Sequence, residues 1–275
     1  MSEQGVAMEP ALHTEYVTYP SAMGEVRGYL ARPEGSDRRP ALIVIHEWTG
    51  LIPYVEDVCR RLAREGYLAL APDLYSGDPV RAEMEVDDLE AATEVGHAPT
   101  VEEGLQRVPP ERRDAVLRAH LWRRARKEDK YIPFLQGTLS YLQARPDVVP
   151  GAIGSIGFCM GGRLSATLAT TGAELAAAAI FYGPNPPLGD VPNIRCPVQG
   201  HYGSDDEFVT AKVPLLADAM KAAGKDFTYY VYDGAPHAFH NDTRPAYHPE
   251  AARLSWTRVL EFLGRHVKRE VAQAR

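Results

Sequence analysis

A cysteine stands at position 159 between glycines, in the run Gly157-Phe158-Cys159-Met160-Gly161-Gly162. The apolar stretch Ala152 to Ile156 precedes it, and a helix-like stretch from Arg163 to Ala169 follows. This is the G-x-S-x-G nucleophile-elbow pattern with a thiol in place of the hydroxyl. Such an elbow joins a strand to a helix by a sharp turn and presents the nucleophile on a strained, exposed backbone position. Glycines flank it because neighbouring side chains would collide in so tight a turn. The start of a helix beneath the sulfur favours a thiolate, the reactive form of cysteine. The other two cysteines lack this setting. Cys59 lies in a helix-like run and Cys196 precedes Pro197, so both read as ordinary buried thiols.

A nucleophile of this kind needs a base and an acid to orient it. Where the elbow occurs in α/β hydrolases, the acid comes next in the chain and the histidine last. Downstream, His201-Tyr202-Gly203-Ser204-Asp205-Asp206 ends an apolar segment in a turn with carboxylates. Asp206 is the expected acid and Asp205 the alternative. Asp233-Gly234-Ala235-Pro236-His237 follows the last strand-like run, so His237 is expected at the same sheet end as Cys159. Upstream, His46-Glu47-Trp48-Thr49-Gly50 follows a buried strand, where this arrangement draws half of its oxyanion hole. The backbone N–H groups of Trp48 and Met160 are the expected oxyanion donors, and Glu47 lies within reach of the thiol. Tyr182, at a strand end, is a candidate for the pocket lining. His237, His240 and Asp242 could also be read as metal ligands, but a metal would consume the base. No P-loop lysine accompanies the glycines, and no metal or cofactor is called for.

The elements that must position these residues follow from periodicity. Residues 13–19 and 24–31 predict a hairpin. The runs 41–45 and 67–71 are continuously apolar, as in strands buried on both faces, and 55–64 between them has helical spacing. The alternation resumes with helix 134–144, strand 152–156, helix 163–172, strand 177–182, strand 197–202, helix 211–223, strand 227–232 and a closing helix 255–267. The sum is an α/β domain with a mostly parallel sheet of about eight strands and helices on both faces. A single domain over residues 1–275 is expected. Residues 78–130 form an insertion, with nine acids and one base in 78–103 and nine bases and four acids in 107–130. Two helices of opposite charge, packed as a hairpin and serving as a lid, would account for it.

Composition narrows the class. The chain has 275 residues, 45% of them hydrophobic, and a net charge of −7, which argues against a nucleic-acid partner. No apolar run reaches the roughly 18 residues of a membrane span. The first ten residues lack a basic-then-apolar leader pattern, and three scattered cysteines make no disulfide framework, so the cytoplasm is the expected location. A monomer or small homo-oligomer acting on a small molecule is the expectation.

Taken together, the motifs resemble the dienelactone hydrolase family. The pieces are His46-Glu47-Trp48-Thr49-Gly50, Pro72-Asp73-Leu74-Tyr75, the elbow at 157–162, Gly203 with Asp206, and Gly234 with His237-Ala238-Phe239. Their order and spacing agree from about residue 13 to 267, apart from the longer stretch 78–130. The resemblance implies an α/β-hydrolase fold, a triad of Cys159, His237 and Asp206, and lactone or ester hydrolysis through an acyl-cysteine. It also implies that Glu47 is a regulatory glutamate holding the cysteine less reactive until substrate arrives. The chain departs from the family where an arginine grips the substrate carboxylate four residues after the histidine, for here that position is Asn241. Arg81 and Arg244 are nearby replacements. Two rival readings are a glutaminase-like cysteine-elbow stress protein or amidase, and a non-enzymatic ligand-binding relative. The first places histidine directly after the cysteine, where this chain has Met160; the second would form no acyl adduct.

Overall fold

The computed structural model describes residues 10–268. The leader reading of the first ten residues therefore falls almost wholly outside the described residues. Eight strands form one sheet: β1 (Leu12–Ser21), β2 (Gly24–Pro33), β3 (Arg39–Ile45), β4 (Leu68–Pro72), β5 (Val148–Phe158), β6 (Ala177–Phe181), β7 (Val198–Gly203) and β8 (Phe227–Tyr232). Their order is β1-β2-β4-β3-β5-β6-β7-β8. The β1–β2 and β2–β4 pairs are antiparallel, and β4 through β8 run parallel. The helices are α1 (Pro53–Arg64), α2 (Pro79–Ala82), α3 (Val86–His97), α4 (Val101–Gln106), α5 (Arg113–Ala125), α6 (Ile132–Ala144), α7 (Met160–Thr170), α8 (Glu207–Thr210), α9 (Val213–Ala222) and α10 (Pro249–His266).

The period-two alternation of strand residues divides the core between the two faces of the sheet. In β3, Ala41, Ile43 and Ile45 lie on the sheet face that α6 and α7 cover, while Leu42 and Val44 lie on the face that α1 covers. Both sets are fully buried, which is why β3 reads as a continuous apolar run. No helix among the described residues is long and apolar enough to cross a membrane.

Three elements differ from the sequence expectation. Strand β5 begins at Val148, because Gly151 with φ +77° lets the chain bend while the pairing with β3 shifts register between Arg39 and Ala41. Helix α10 begins at Pro249, whose preset φ suits a first turn, with the His248 side chain accepting from Ala251 N at 3.2 Å. The region 78–130 holds four α-helices rather than two. Its acidic α3 and basic α5 do pack together, through Leu89, Ala92 and Val95 against Val116 and Ala119. Arg112 directs both Nε and Nη2 to Asp88 Oδ1, at 2.9 and 2.6 Å.

Candidate active site

The elbow is built by backbone crowding. Cys159 has φ +54° and ψ −116°, outside the regions a non-glycine residue normally occupies. Its N–H donates to Phe181 O at 2.9 Å, which ties the turn to β6. A Cβ on Gly157 would lie 1.9 Å from Gly161 O, and one on Gly161 would lie 2.2 Å from Ile45 O. Glycine is therefore obligatory at both positions, and α7 starts pressed against the end of β3.

The ends of β3, β5, β7 and β8 bring the remaining groups to this point. Asp206 is buried and its Oδ2 lies 2.5 Å from His237 Nδ1. Asp205 is exposed and takes a hydrogen bond from Ser204 Oγ instead. The His237 ring also lies within interaction range of the Cys159 sulfur. Burial disfavours a charge on the imidazole, but the Cys159 sulfur and the Asp206 carboxylate outweigh it and hold the His237 pKa well above its ordinary value. Cys159, Asp206, His237, Glu47, Trp48 and Met160 all border one cavity of about 670 Å³, a size usual for small-molecule sites.

The Glu47 loop is fixed from behind. His46 is buried, accepts from Leu74 N at Nε2 (3.1 Å) and donates from Nδ1 to Glu47 O (2.5 Å). Burial lowers its pKa to about 4, so it serves as a neutral clamp. Tyr75 Oη donates to Trp48 O at 2.7 Å. No acceptor among the described residues takes the Trp48 N–H, and Met160 N–H opens α7, where helical N–H groups have no partner in the helix. Glu47 is buried; its Oε2 accepts from Asn241 Nδ2 at 3.0 Å and lies 3.6 Å from Arg244 Nε, while Oε1 has no hydrogen-bond partner.

Three residues expected to contact substrate lie elsewhere. Asn241 is fully buried and spends its amide on Glu47 and its oxygen on Thr243, so it presents nothing to the cavity. Tyr182 is also fully buried and packs edge-on behind His237, ring centroids 5.2 Å apart. Arg81 donates to Thr49 O at 2.8 Å and Met84 O at 3.0 Å; it braces the Glu47 loop from outside the cavity. His240 bonds Tyr54 Oη at 2.7 Å and Asp242 pairs with Arg61, and no grouping of three His, Cys, Asp or Glu among the described residues could hold a metal.

Arg244, which the sequence offered beside Arg81, does border the cavity, from the loop before α10. With it stand arginines that sequence reading did not single out: Arg123, Arg124 and Arg126, from the end of α5 and the residue after it. Arg123 lies over the Trp48 ring, 4.6 Å from its centroid, and burial lowers its pKa. Arg126 donates to Tyr75 Oη at 2.5 Å. Among the described residues no carboxylate pairs with Arg123 or Arg126. A signal existed: Arg123 has no acid three or four positions away in either direction.

Comparison with known proteins identifies the family and the fold. The model of the dienelactone hydrolase family matches residues 26–267. A Saccharolobus solfataricus protein named "Putative carboxymethylenebutenolidase" is 34% identical over 256 residues, covering 90% of this chain and 97% of that protein. A protein of the same name from Escherichia coli K12 is 30% identical, over 92% of this chain and 88% of its own. A solved structure titled "Putative Dienelactone Hydrolase" from Klebsiella pneumoniae aligns with a TM-score of 0.72 at 28% identity, covering 92% of this chain and 99% of that one. An esterase of Pyrobaculum calidifontis shares the fold, with a TM-score of 0.62 at 18% identity over 93% of this chain and 86% of its own. The chain therefore belongs to the dienelactone hydrolase family and is a hydrolase of the α/β-hydrolase fold.

Proposed function

We propose that the chain hydrolyses an ester or lactone whose acyl part carries an anion, through an acyl-cysteine formed on Cys159. The observation that carries this reading is His237 set beside buried Asp206 and Cys159 in one cavity, whose lining also holds Arg123 and Arg126, without a carboxylate partner among the described residues. Cys159 Sγ attacks the carbonyl carbon, and the resulting oxyanion is met by the N–H groups of Trp48 and Met160. Loss of one such donor costs about 3 kcal/mol in known hydrolases, or roughly a hundredfold in rate. His237 Nδ1 faces Asp206, leaving Nε2 to protonate the departing alkoxide and then to take a proton from the water that cleaves the thioester. Asp206 keeps the imidazole in that tautomer and supports its positive form. Glu47, with one unpaired buried oxygen, is the group that competes with His237 for the thiol proton before substrate binds.

Arg123 and Arg126 supply the anion site that Asn241 cannot. Both belong to the 78–130 insertion, which together with Arg244 closes over the nucleophile and acts as its lid. Helix α3 contributes Thr93, Gly96 and His97 to the same wall. The test is hydrolysis of a short aryl ester by purified protein, with mass spectrometry of a slowly released acyl group. Cys159→Ala is expected to abolish turnover, and wild-type protein to carry the acyl adduct on the Cys159 peptide. A variant that keeps the wild-type rate, or an adduct on another residue, refutes the assignment.

A further inference from the structure

Strand β8 ends the sheet, and among the described residues nothing pairs with its outer side. Natural edge strands are guarded by charges, prolines or bulges. The opposite edge, β1, follows that rule with His13, Glu15 and Pro20. Strand β8 reads Phe-Thr-Tyr-Tyr-Val-Tyr, with no charge, proline or bulge. Its Tyr229 is 38% and its Val231 46% exposed, and Leu215 of the neighbouring α9 is 56% exposed.

The ladder to β7 determines which backbone groups are free. Val198 N donates to Asp226 O and Ser204 N to Tyr232 O, so the even-numbered residues of β8 turn their N–H and C=O groups toward β7. Phe227, Tyr229 and Val231 consequently turn theirs outward. The side chains of these three lie on the α9 face, where Phe227 packs with the α9 cluster and Tyr229 meets Tyr202.

We propose that β8 pairs antiparallel with β8 of a second copy of this chain, about a two-fold axis at Tyr229. An axis there sets Tyr229 against itself and Phe227 against the partner's Val231, so every outward group of the strand is matched. The pair forms about six backbone hydrogen bonds, two for each facing pair of this kind. Two residues further out, Lys225 faces the partner's Asp233, and symmetry makes that contact twice. Centring the axis between Tyr229 and Tyr230 would instead oppose Asp226 to the partner's Asp233 and would present even-numbered groups already committed to β7. Charge and hydrogen-bond phase therefore select one register, and two eight-stranded sheets become one. Asp233 opens the loop that carries His237, so this pairing borders the catalytic loop without contributing to the cavity.

Sedimentation equilibrium of the full chain tests it. At about 100 µM the wild type is expected at twice its 30.3 kDa mass. Tyr229→Pro removes an outward N–H and no bond to β7, and should give a monomer with an unchanged circular dichroism spectrum. Lys225→Asp should raise the dimer dissociation constant about tenfold, and adding Asp233→Lys should return it to within about threefold of the wild type. A monomeric wild type at that concentration, a dimer indifferent to Tyr229→Pro, or a charge swap without rescue overturns the proposal.

Discussion

Replacing Arg123 by Met separates recognition of the substrate anion from the chemistry at Cys159. The guanidinium is already desolvated in the cavity wall: burial lowers its pKa, no carboxylate among the described residues pairs with it, and its planar face rests on Trp48. An incoming carboxylate thus meets a donor whose dehydration was met on folding. A hydrogen bond between charged partners in such a setting contributes about 1.5–3 kcal/mol, which is roughly ten- to hundredfold in kcat/KM. Arg126 remains nearby, so the lower end, about tenfold, is expected. The assay compares a monoaryl ester of a dicarboxylic acid with the same ester capped as its neutral methyl diester. In the wild type the free carboxylate should be preferred, and Arg123→Met should reduce kcat/KM for it about tenfold while changing the capped ester less than about twofold. The Met side chain preserves apolar contact with Trp48, so the oxyanion loop stays in place. An equal fall for both esters would mean that Arg123 positions Trp48 rather than substrate. No preference in the wild type would refute the anion site itself.

Two further predictions concern the frame around the site. Gly161→Ala would place a methyl 2.2 Å from Ile45 O and 2.6 Å from His46 O, both backbone atoms that cannot yield; a loss of at least about 3 kcal/mol in urea denaturation is expected, and an unchanged midpoint would contradict the elbow geometry. Burial holds the pKa of His46 at about 4 and those of His201 and His240 at about 3, against about 6.5 in the unfolded chain. Their contribution is complete above pH 6.5 and is lost as pH falls, by about 1.4 kcal/mol per unit for each. His237 has the opposite sign: its raised pKa adds stability below pH 6.5 that is lost as pH rises through the folded value, so at pH 5.5 it is protonated in both states. Unfolding at pH 5.5 should therefore take up about three protons, measured by calorimetry in buffers of different ionisation enthalpy; uptake near zero would show that the three rings are not held neutral.

The fold was readable because burial on two faces writes itself as unbroken apolar runs. The central strands β3 and β4 lie where such runs stand, and the elbow announces itself through glycines that no other residue could replace. What escaped was decided by long-range packing. Nothing local to Pro249 reveals that His248 caps a helix there, nor does the charge of residues 78–130 state that four helices share that segment. Asp205 and Asp206 are equivalent in type and adjacent in sequence; only the turn after β7 sends one to His237 and the other to solvent. Tyr182 stands at a strand end, as pocket residues do, yet its ring is fully buried behind His237.

Asn241 stands where the family resemblance would place an arginine. At this position an arginine would have to share buried space with Glu47, Thr243 and the Glu47-facing side of Arg244. The shorter amide fits, and it satisfies Glu47 without adding charge. Arg244 then stands between two carboxylates, 3.6 Å from Glu47 Oε2 and 3.5 Å from Glu90 Oε1 on α3. The group proposed to restrain the thiol is thereby tied by Arg244 to the insertion proposed to supply the anion site. In the proposed reading Arg123 and Arg126 receive the substrate's charge while Arg244 stays committed to Glu47 and Glu90, so the two tasks fall to separate arginines.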